Sequence, residues 1–408
     1  MKIGISGPIS ILELSEYLYD KNLPIGLESP VLTNIVKEYL KMGHEVVVFT
    51  LDKSIKKAMV FYGENITVCV GIYRKKSWNR AKDFFLLEMI HLYRFMKKYK
   101  VDVMNANWTY EFAIPAIKIY GQNTVVSVRD NSKEVYDTLK NYYRYIRLKM
   151  NNYVLKKECS YIATSPYISK ALLNMYNIDA NIIPDAISSN IIFNDEKILN
   201  KKHPRIICVN NGFTELKNVK TSVKIFSILK QKIEGLELVL IGQGYGKEEE
   251  CYRWCKENNL DKGIKFIGSI PHGKAIEYIK NSDLLLHLSR EESFGGVVLE
   301  ALSQGTPVIG GESSGAIPWL LNYGKIGMIV NIDDEVQIVN LILKLFNDEG
   351  LWKNYSKKSI KYVTENFLVR NIADSYINEF DKILIPERNR WIYGILNYFN
   401  NFFILYLY

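Results

Sequence analysis

Short apolar runs alternate with amphipathic stretches along the first half of the chain. The apolar runs predict strands, and the stretches of helical period predict helices at residues 29–42 and near residues 80–98. Gly43 follows the first of these helices and suits a left-handed C-cap. Repeated strand–helix units imply a parallel sheet with helices on both faces. The strands are predicted at residues 3–6, 45–51, 66–73, 101–105, 124–128 and 161–164.

The second half restarts the same alternation after a segment that predicts a linker. This segment, residues 183–203, contains Pro184 and shows little periodicity. Two long helices close this half, at residues 351–366 and 369–384. We therefore expect an α/β fold with two doubly wound Rossmann-like domains, residues 1–184 and 185–384, and a ligand cleft between the carboxyl ends of their sheets. The strands of the second half are predicted at residues 205–209, 236–241, 264–267, 283–288, 306–309 and 328–330.

Residues 385–408 form a separate apolar and aromatic tail. Residues 391–408 carry no charge, and Gly and Asn interrupt the apolar pattern, which disfavours a membrane span. An interfacial helix anchored by Arg388 and Arg390 is one interpretation. Packing on the first domain, or on another subunit, is the other, and both stay open.

The composition is that of a globular protein with two domains of ordinary size. The chain has 408 residues, of which 48% are hydrophobic and 24% are charged. Five scattered cysteines argue against a disulfide framework. The amino terminus has the pattern of a first strand rather than of a signal peptide, so we expect a cytoplasmic protein.

The net charge of +9 comes from the first half of the chain. Up to Pro184 there are 26 Lys and Arg against 17 Asp and Glu, and the remainder carries 27 of each. The basic residues cluster at residues 74–100 and 144–157, interleaved with aromatic residues. An anionic membrane surface suits helices of this kind, and a solvated helix face with its aromatic residues in the core explains the pattern equally well. No nucleic-acid partner is expected.

A glycine loop at residues 291–296, Glu-Glu-Ser-Phe-Gly-Gly, carries the most specific chemistry. It follows an apolar strand and opens a helix, so backbone N–H groups at Gly295 and Gly296 can approach an anion at the positive end of that helix. Glu292 lies in the loop and Glu300 lies two turns into the helix, so both can border the same ligand. Carboxylates repel phosphate, which favours contacts with hydroxyl groups instead. A ligand with both phosphates and hydroxyl-rich rings is a nucleotide-sugar.

This loop resembles the donor-site signature of the retaining glycosyltransferase family 4, whose members have the two-domain GT-B fold. The resemblance covers most of the chain and is strongest from Arg205 to about Leu320. It implies that Glu292 contacts hydroxyl groups of the donor sugar and that Glu300 contacts the ribose. The phosphate site would be completed by Ser293, Phe294, Gly295 and Gly296. The matching positions are Glu292, Phe294, Gly295, Glu300, Ala301, Gly305, Pro307 and Val308.

Lys217 is the cation expected to meet the diphosphate. It lies in the segment Asn-Gly-Phe-Thr-Glu-Leu-Lys-Asn, residues 211–218, which follows a strand and opens a helix. This segment resembles a Gly-Arg…Lys-Asn element of the family, in which the Arg and the Lys bind the diphosphate, and Gly212 and Lys217 match it. Phe213 and Leu216 occupy the places where the Arg is expected, so one cation is unaccounted for. An ordinary lysine at a helix start is the alternative.

Two further turns of the second half resemble donor-site elements. Gly242 and Gly244 lie in a glycine turn that shapes the donor site in the family. The third glycine of a dinucleotide fingerprint falls on Lys247 here, which disfavours a redox enzyme. Residues 266–271 resemble the loop that lines the base pocket, with the backbone around Ile270 contacting the base. A structural turn explains this last segment almost as well.

Three site residues are expected in the first domain. Gly26 follows the first strand and resembles a glycine loop near the phosphates, although the second glycine of that loop is missing. Asn107, with Trp108, follows a predicted strand and should face the cleft. Arg129 ends the strand at residues 124–128, where many relatives have a His beside the transferring sugar. An Arg cannot accept a proton at neutral pH, but it can supply the missing cation or bind an anionic acceptor.

The resemblance implies a retaining glycosyltransferase with an NDP-sugar donor, UDP-sugars being expected first and GDP-mannose next. Its catalytic residues would be Glu292, Lys217 and Arg129, and no cofactor or metal is expected. The basic first domain suggests a lipid-linked or polysaccharide acceptor, as in capsule, exopolysaccharide or lipopolysaccharide synthesis. It also suggests a peripheral position on the inner face of the cell membrane.

Two alternatives stay open. A GT-B nucleotide-sugar epimerase would use the same donor pocket, with acid–base residues over it. A non-catalytic GT-B scaffold protein would be consistent with the absent His and Arg.

Overall fold

The computed structural model describes residues 1–193 and 196–384, which form two compact domains. The first domain contains residues 1–163, 172–183 and 370–384, and the second contains residues 164–171 and 184–369. The predicted domains met at residue 184, whereas in the structure the chain enters the second domain briefly at residue 164 and leaves it after residue 369. The predicted tail, residues 385–408, lies outside the described residues.

The first domain is built on an eight-stranded sheet. All neighbouring strands pair in parallel except one short edge pair, β3 with β4. The spatial order is β3-β4-β2-β1-β5-β6-β7-β8. The six predicted strands of this half are present, and β3 and β8 are additional. The strands are β1 Lys2–Ser6, β2 Glu45–Asp52, β3 Met59–Tyr62, β4 Ile66–Ile72, β5 Val103–Asn107, β6 Thr124–Val128, β7 Ser160–Ala163 and β8 Asn181–Ile182.

Helices connect these strands, and one of them differs from its prediction. The single helix predicted near residues 80–98 is two helices, because Phe84 and Phe85 adopt left-handed φ values of 54° and 60°. Phe85 is fully buried, with its ring 5.8 Å from that of Tyr143. The interruption between these two helices therefore coincides with the burial of the Phe85 ring. The helices are α1 Pro30–Lys41, α2 Ser77–Ala81, α3 Leu86–Lys98, α4 Ala113–Tyr120, α5 Ser132–Leu139, α6 Tyr142–Val154 and α7 Pro166–Tyr176, and residues 166–171 of α7 belong to the second domain.

The second domain contains a six-stranded parallel sheet in the order β11-β10-β9-β12-β13-β14. All six predicted strands of this half are present. The order reverses between β9 and β12, and ligands of doubly wound proteins bind beyond the carboxyl ends of the strands at such a point. The strands are β9 Arg205–Val209, β10 Glu237–Ile241, β11 Ile264–Gly268, β12 Leu284–His287, β13 Val308–Gly311 and β14 Met328–Val330.

Helices cover both faces of this second sheet. Successive residues of β9 alternate between two apolar cores, since Ile206 and Cys208 belong to one cluster and Ile207 belongs to the other. The segment predicted as a linker contributes to the same cores through Ile187 and Leu199, which are both buried. The helices are α8 Val219–Leu229, α9 Glu250–Glu257, α10 His272–Lys280, α11 Gly296–Ser303, α12 Ile317–Leu320, α13 Glu335–Asn347 and α14 Glu349–Asn366.

The last described helix, α15 Val369–Leu384, belongs to the first domain from residue 370 onward. Its buried Phe380 packs 6.1 Å from the ring of Tyr39, and the hydroxyl of Tyr376 lies 3.0 Å from Oγ of Ser127. These contacts explain why the predicted boundary at residue 384 does not match the structure. Short 3-10 segments complete the fold at Ile11–Tyr17, Gly121–Asn123, Ser189–Ile191 and Asn322–Gly324.

Candidate active site

Glu292 is the centre of a charged cluster at the switch point of the second sheet. Its Oε1 atom lies 2.6 Å from Nζ of Lys217 and 3.2 Å from Nε2 of His287. Lys217 follows β9, and His287 is the last residue of β12. Because β9 and β12 are neighbours in the sheet, the loops that follow them meet. The structure therefore brings together two of the residues predicted to carry the chemistry.

The surroundings of Glu292 keep its side chain ionised. Burial by itself raises the pKa of this carboxyl, but the adjacent imidazole of His287 and the charge and hydrogen bond of Lys217 outweigh that effect. The net result lowers the pKa of Glu292 from 4.5 to about 2. The carboxylate is thus a fixed hydrogen-bond acceptor at any ordinary pH, as contacts with sugar hydroxyl groups require.

His287 is a buried residue of this cluster that the sequence did not single out. Its side chain is 2% exposed, and its Nε2 contact with Glu292 departs from the direction of a good hydrogen bond. Among residues 1–193 and 196–384, its Nδ1 atom has no hydrogen-bond partner. The imidazole is therefore held by packing and by the charge of Glu292. The only signal in the sequence was a His at the end of an apolar strand.

The main chain of Glu292 is clamped by the loop after β13. Ala316 donates its N–H to the carbonyl of Glu292 over 2.8 Å. Gly315 has φ +58°, and a Cβ atom there would lie 2.2 Å from that same carbonyl oxygen. A glycine is therefore needed at position 315 for the loop to approach so closely. This residue was also missed, since it lies outside every motif.

The residues that follow Glu292 divide between packing and possible ligand contact. The ring of Phe294 is buried, 6.2 Å from Trp319 and 6.4 Å from Phe367, so this side chain anchors the loop. Ser293 turns its hydroxyl toward Glu291 at 3.4 Å. The carbonyl of Ser293 accepts a 2.6 Å hydrogen bond from Ser165, another residue that the sequence did not indicate.

Gly295 and Gly296 open helix α11 in different ways. Gly295 has φ +94°, and a Cβ atom there would lie 2.6 Å from Cδ1 of Ile317, so its position is fixed by packing. A Cβ atom on Gly296 would meet nothing within 4 Å. Open space therefore adjoins the first residue of α11, where a helix has unpaired N–H groups and positive potential.

Glu300 makes its ion pair with a different residue. Its Oε1 atom lies 2.7 Å from Nε2 of His272, which is the first residue of helix α10. Both side chains are partly exposed. Ile270, two residues before His272 in the chain, is partly buried and packs against an apolar core of this domain. Its predicted role beside the nucleobase stays a prediction, as does the role of Glu300 at the ribose.

The loop that carries Lys217 is tied to the loop that carries Glu292. The N–H of Arg290 donates to the carbonyl of Leu216 over 2.8 Å. Phe213, where an Arg was expected, packs its ring 5.9 Å from Trp254. The guanidinium of Arg290 lies 2.9 Å from Asp333 on the surface.

The glycine turn after β10 packs against the loop after β9, which carries Lys217. Gly242 has φ +123°, and a Cβ atom there would lie 1.7 Å from the carbonyl oxygen of Asn210. Gly212, at φ +89°, donates its N–H to Gln243 over 2.9 Å. The N–H of Gly244 donates to Oε2 of Glu249 over 2.8 Å. Gly212 and Gly242 thus hold the loop after β9 against the loop after β10. The N–H of Gly244 is already hydrogen-bonded to the carboxylate of Glu249.

The first domain has a separate polar network at the end of β5 and β6. Nε and Nη2 of Arg129 both donate to Oδ1 of Asn107, over 3.1 and 3.0 Å. The guanidinium also lies 5.4 Å from the ring centroid of Trp108, and Arg129 is only 9% exposed. Nδ2 of Asn107 donates in turn to Asn105 over 2.8 Å. Two predicted site residues are therefore in direct contact.

Gly26, the third residue predicted in this domain, has a structural partner. Its N–H donates to Oδ2 of Asp52 over 2.6 Å, and its φ is +85°. A Cβ atom on Gly26 would lie 2.2 Å from the carbonyl oxygen of Ile9. The glycine permits this close approach, and its role near phosphates stays a prediction.

Comparison with known proteins assigns the class. Residues 190–362 match the family described as glycosyl transferases group 1, and residues 29–189 match glycosyltransferase family 4. The chain belongs to this family of glycosyltransferases. Its two doubly wound domains have the GT-B fold, as predicted from the sequence.

The individual relatives are distant. The N-acetyl-alpha-D-glucosaminyl L-malate synthase of Bacillus anthracis is 26% identical over 221 residues, which are 52% of this chain and 56% of that protein. The chain spans about half the length of the curated relatives it matches.

Solved structures resemble the chain over nearly its whole length. Sucrose-phosphate synthase from Thermosynechococcus elongatus has a TM-score of 0.74 at 16% identity, covering 94% of this chain and 99% of that one. Anabaena HepE in complex with UDP and glucose has a TM-score of 0.66 at 16% identity, covering 94% of this chain and 100% of that one. At these identities the likeness concerns the fold alone.

Proposed function

We propose that the protein is a retaining glycosyltransferase whose second domain binds an NDP-sugar at the Lys217–Glu292 cluster. The observation that carries the proposal is the 2.6 Å contact between a cation and an ionised carboxylate at the switch point of a doubly wound sheet. A phosphate needs the cation, and sugar hydroxyl groups need the carboxylate. Family membership supports the same chemistry.

The proposed reaction exchanges one bond at the anomeric carbon for another on the same face. The bond from the sugar to the diphosphate breaks, and a bond to the acceptor hydroxyl forms. The proton of that hydroxyl passes to the departing phosphate oxygen, so no further reactant is required. Lys217 and the N–H groups at the start of α11 stabilise the charge that develops on the phosphate. Glu292 orients the sugar through its hydroxyl groups.

A UDP-sugar is the proposed donor, with GDP-mannose as the second candidate. The relative that was solved with UDP and glucose supports this order. Glu300 and the backbone near Ile270 are proposed to contact the ribose and the base. The reaction is proposed to need no metal ion.

The proposed acceptor is a lipid-linked or polysaccharide glycan of the cell surface. Support comes from the charge of the first half of the chain, where Lys and Arg exceed Asp and Glu by 26 to 17 up to Pro184. We propose a cytoplasmic protein that sits peripherally on the inner face of the membrane. Among the residues that the structure describes, no helix has the length and apolar character to cross a bilayer.

A thermal-shift screen tests the donor. Each of UDP-glucose, GDP-mannose and ADP-glucose is added to the protein and to Lys217→Met. A ligand at a hundred times its Kd stabilises the folded state by about 2.7 kcal/mol. We expect the largest rise in Tm with the UDP-sugar and a much smaller one in the variant. No shift with any nucleotide-sugar would contradict the proposal and favour a scaffold.

A second assay separates transfer from epimerisation. The protein is incubated with the donor identified above and no acceptor, and the products are resolved by chromatography. A glycosyltransferase slowly releases free sugar and UDP in equal amounts. Formation of an epimeric UDP-sugar, or of its free epimer, would contradict the proposal.

A further inference from the structure

The first domain has an apolar groove between helices α3 and α4 that the proposed reaction does not use. The groove has a volume of about 590 Å³. Its apolar lining comes from one side of α3 and from the first turn of α4: Leu86, Met89, Ile90, Tyr93, Ile114 and Pro115.

Helix α3 is apolar on two sides, which is unusual for a helix at a protein surface. Leu92 and Met96 on one side are fully buried in the core of the domain. Met89, Ile90 and Tyr93 lie on the side that lines the groove, at helical spacing, and are only half-buried. The second apolar side is therefore open in this structure.

Four cations surround this apolar lining. They are Arg94, Lys97, Lys98 and Lys118, and no Asp or Glu lines the groove. Within residues 1–193 and 196–384, none of the four forms an ion pair. Nζ of Lys118 lies 5.6 Å from the ring centroid of Tyr93, so its charge adjoins the apolar surface directly. The groove thus has an apolar floor and an unneutralised basic rim.

Further apolar side chains are exposed beside the start of α3. Leu86 is 52% exposed, and its neighbour Phe85 contacts Tyr143 of helix α6. The rings of Trp78 and Tyr142 lie 5.0 Å apart with an angle of 47° between their planes, and the two residues are 60% and 43% exposed. Exposed aromatic rings next to lysines are typical of surfaces that enter the interface of a bilayer.

We infer that this surface, the α3–α4 groove with its four cations, docks on the anionic phospholipids of a bilayer. An acyl chain suits the apolar floor, and the lipid phosphates suit the basic rim. The inference deepens the proposed peripheral location by naming the surface and its partner. It predicts which residues hold the protein at the membrane, whatever sugar it transfers.

The test measures partition of the full chain onto vesicles. Phosphatidylcholine vesicles with and without phosphatidylglycerol are sedimented with the protein and with Lys97→Gln/Lys98→Gln/Lys118→Gln. Each basic residue near an anionic surface changes the partition coefficient about fivefold, so the triple variant should lose about a hundredfold. The matched control is Lys224→Gln/Lys232→Gln/Lys358→Gln, which removes the same charge from exposed positions of the second domain.

A second variant tests the apolar floor without changing the charge. Ile90→Gln should weaken binding several-fold, whereas Ile228→Gln, a partly exposed Ile on α8, should not. Circular dichroism confirms that each variant is folded. Binding that does not depend on the three lysines would overturn the inference, because another surface would then hold the protein.

Two other results would also overturn it. Binding that depends on the lysines but ignores Ile90→Gln would show a charge effect without a groove. Displacement by inorganic phosphate, but not by chloride of equal ionic strength, would show that the cations select a free anion. The proposed function is tested separately, because donor binding and cleavage are measured without vesicles. Donor cleavage without vesicle binding would reject this inference alone.

Discussion

Nζ of Lys217 and Oε1 of Glu292 lie 2.6 Å apart, although the two residues are separated by 75 positions in the chain. They meet because the strands that precede them, β9 and β12, are neighbours where the order of the sheet reverses. Each neutralises the other in the free protein. A ligand that offers a phosphate to Lys217 and hydroxyl groups to Glu292 can replace this contact on both sides, and for this reason we propose the pair as the donor site.

The acid side of the stability curve should report on Glu292. Because the folded protein lowers the pKa of this carboxyl from 4.5 to about 2, the unfolded chain takes up the proton first as the pH falls. The stabilisation is complete above about pH 4.5 and is lost as the pH falls towards 2, a change of about 3 kcal/mol. Urea unfolding of the protein and of Glu292→Gln across this range measures it. Equal acid dependence in both proteins would show that Glu292 is not held in this way.

His287 should act through Glu292 as a positioning residue. His287→Gln removes the imidazole that lies 3.2 Å from Oε1 of Glu292 and helps to lower the pKa of that carboxyl, so that pKa should rise. Loss of activity on the acid side should then begin at a higher pH than in the natural protein. We expect kcat/KM for donor cleavage to fall at neutral pH by up to about a hundredfold, the cost of a catalytic group that is misplaced by about 1 Å. An unchanged acid limb in the pH profile would mean that His287 only fills space.

Two glycines of the site should respond differently to Ala. Gly296→Ala adds a Cβ atom in open space at a helix start, so the Tm should stay the same or rise slightly. If phosphate approaches this residue, KM for the donor should rise about tenfold. Gly315→Ala should lower the Tm, because its Cβ atom would collide with the carbonyl of Glu292. A Gly296→Ala variant with unaltered donor KM would remove this residue from the phosphate site.

The contact between Arg129 and Asn107 should appear as an energetic coupling. Nε and Nη2 of Arg129 both donate to Oδ1 of Asn107. Asn107→Ala therefore removes the acceptor of both hydrogen bonds, and Arg129→Lys removes both donor nitrogens. A double-mutant cycle on kcat/KM for sugar transfer should give a coupling of about 1–3 kcal/mol. Arg129→Lys combined with Lys220→Met, in the other domain, should be additive. Additive effects of Arg129→Lys and Asn107→Ala would indicate independent roles.

The sequence was sufficient for most of the fold, for physical reasons that particular elements illustrate. Strands such as β6 and β9 are buried on both faces, so their apolar runs predicted them with the observed bounds, residues 124–128 and 205–209. Strand β3 lies at a sheet edge and is only partly buried, which left no such run. The break between α2 and α3 depends on where the ring of Phe85 is buried, and helical periodicity does not carry that information.

The site was predictable only in part, because motifs identify residues and not their partners. Glu292 and Lys217 were both found from local patterns, but the contact between them depends on strand order. His287 and Gly315 lie outside the motifs, and their importance comes from their closeness to Glu292 in the folded protein. The return of α15 to the first domain likewise depends on tertiary contacts, such as that between Phe380 and Tyr39.

The most direct test compares two lysines that form similar ion pairs. Lys217 contacts Glu292 and Lys220 contacts Glu215, each over 2.6 Å, but the side chain of Glu215 is 74% exposed whereas that of Glu292 is 16% exposed. Release of UDP from a UDP-sugar is measured for Lys217→Met, for Lys220→Met and for the natural protein. Loss of one preorganised charge at a leaving group costs about a hundredfold to a thousandfold in kcat. We expect that loss for Lys217→Met and near-natural release for Lys220→Met; equal activity of the two variants would contradict the assignment of Lys217 and Glu292 as the donor site.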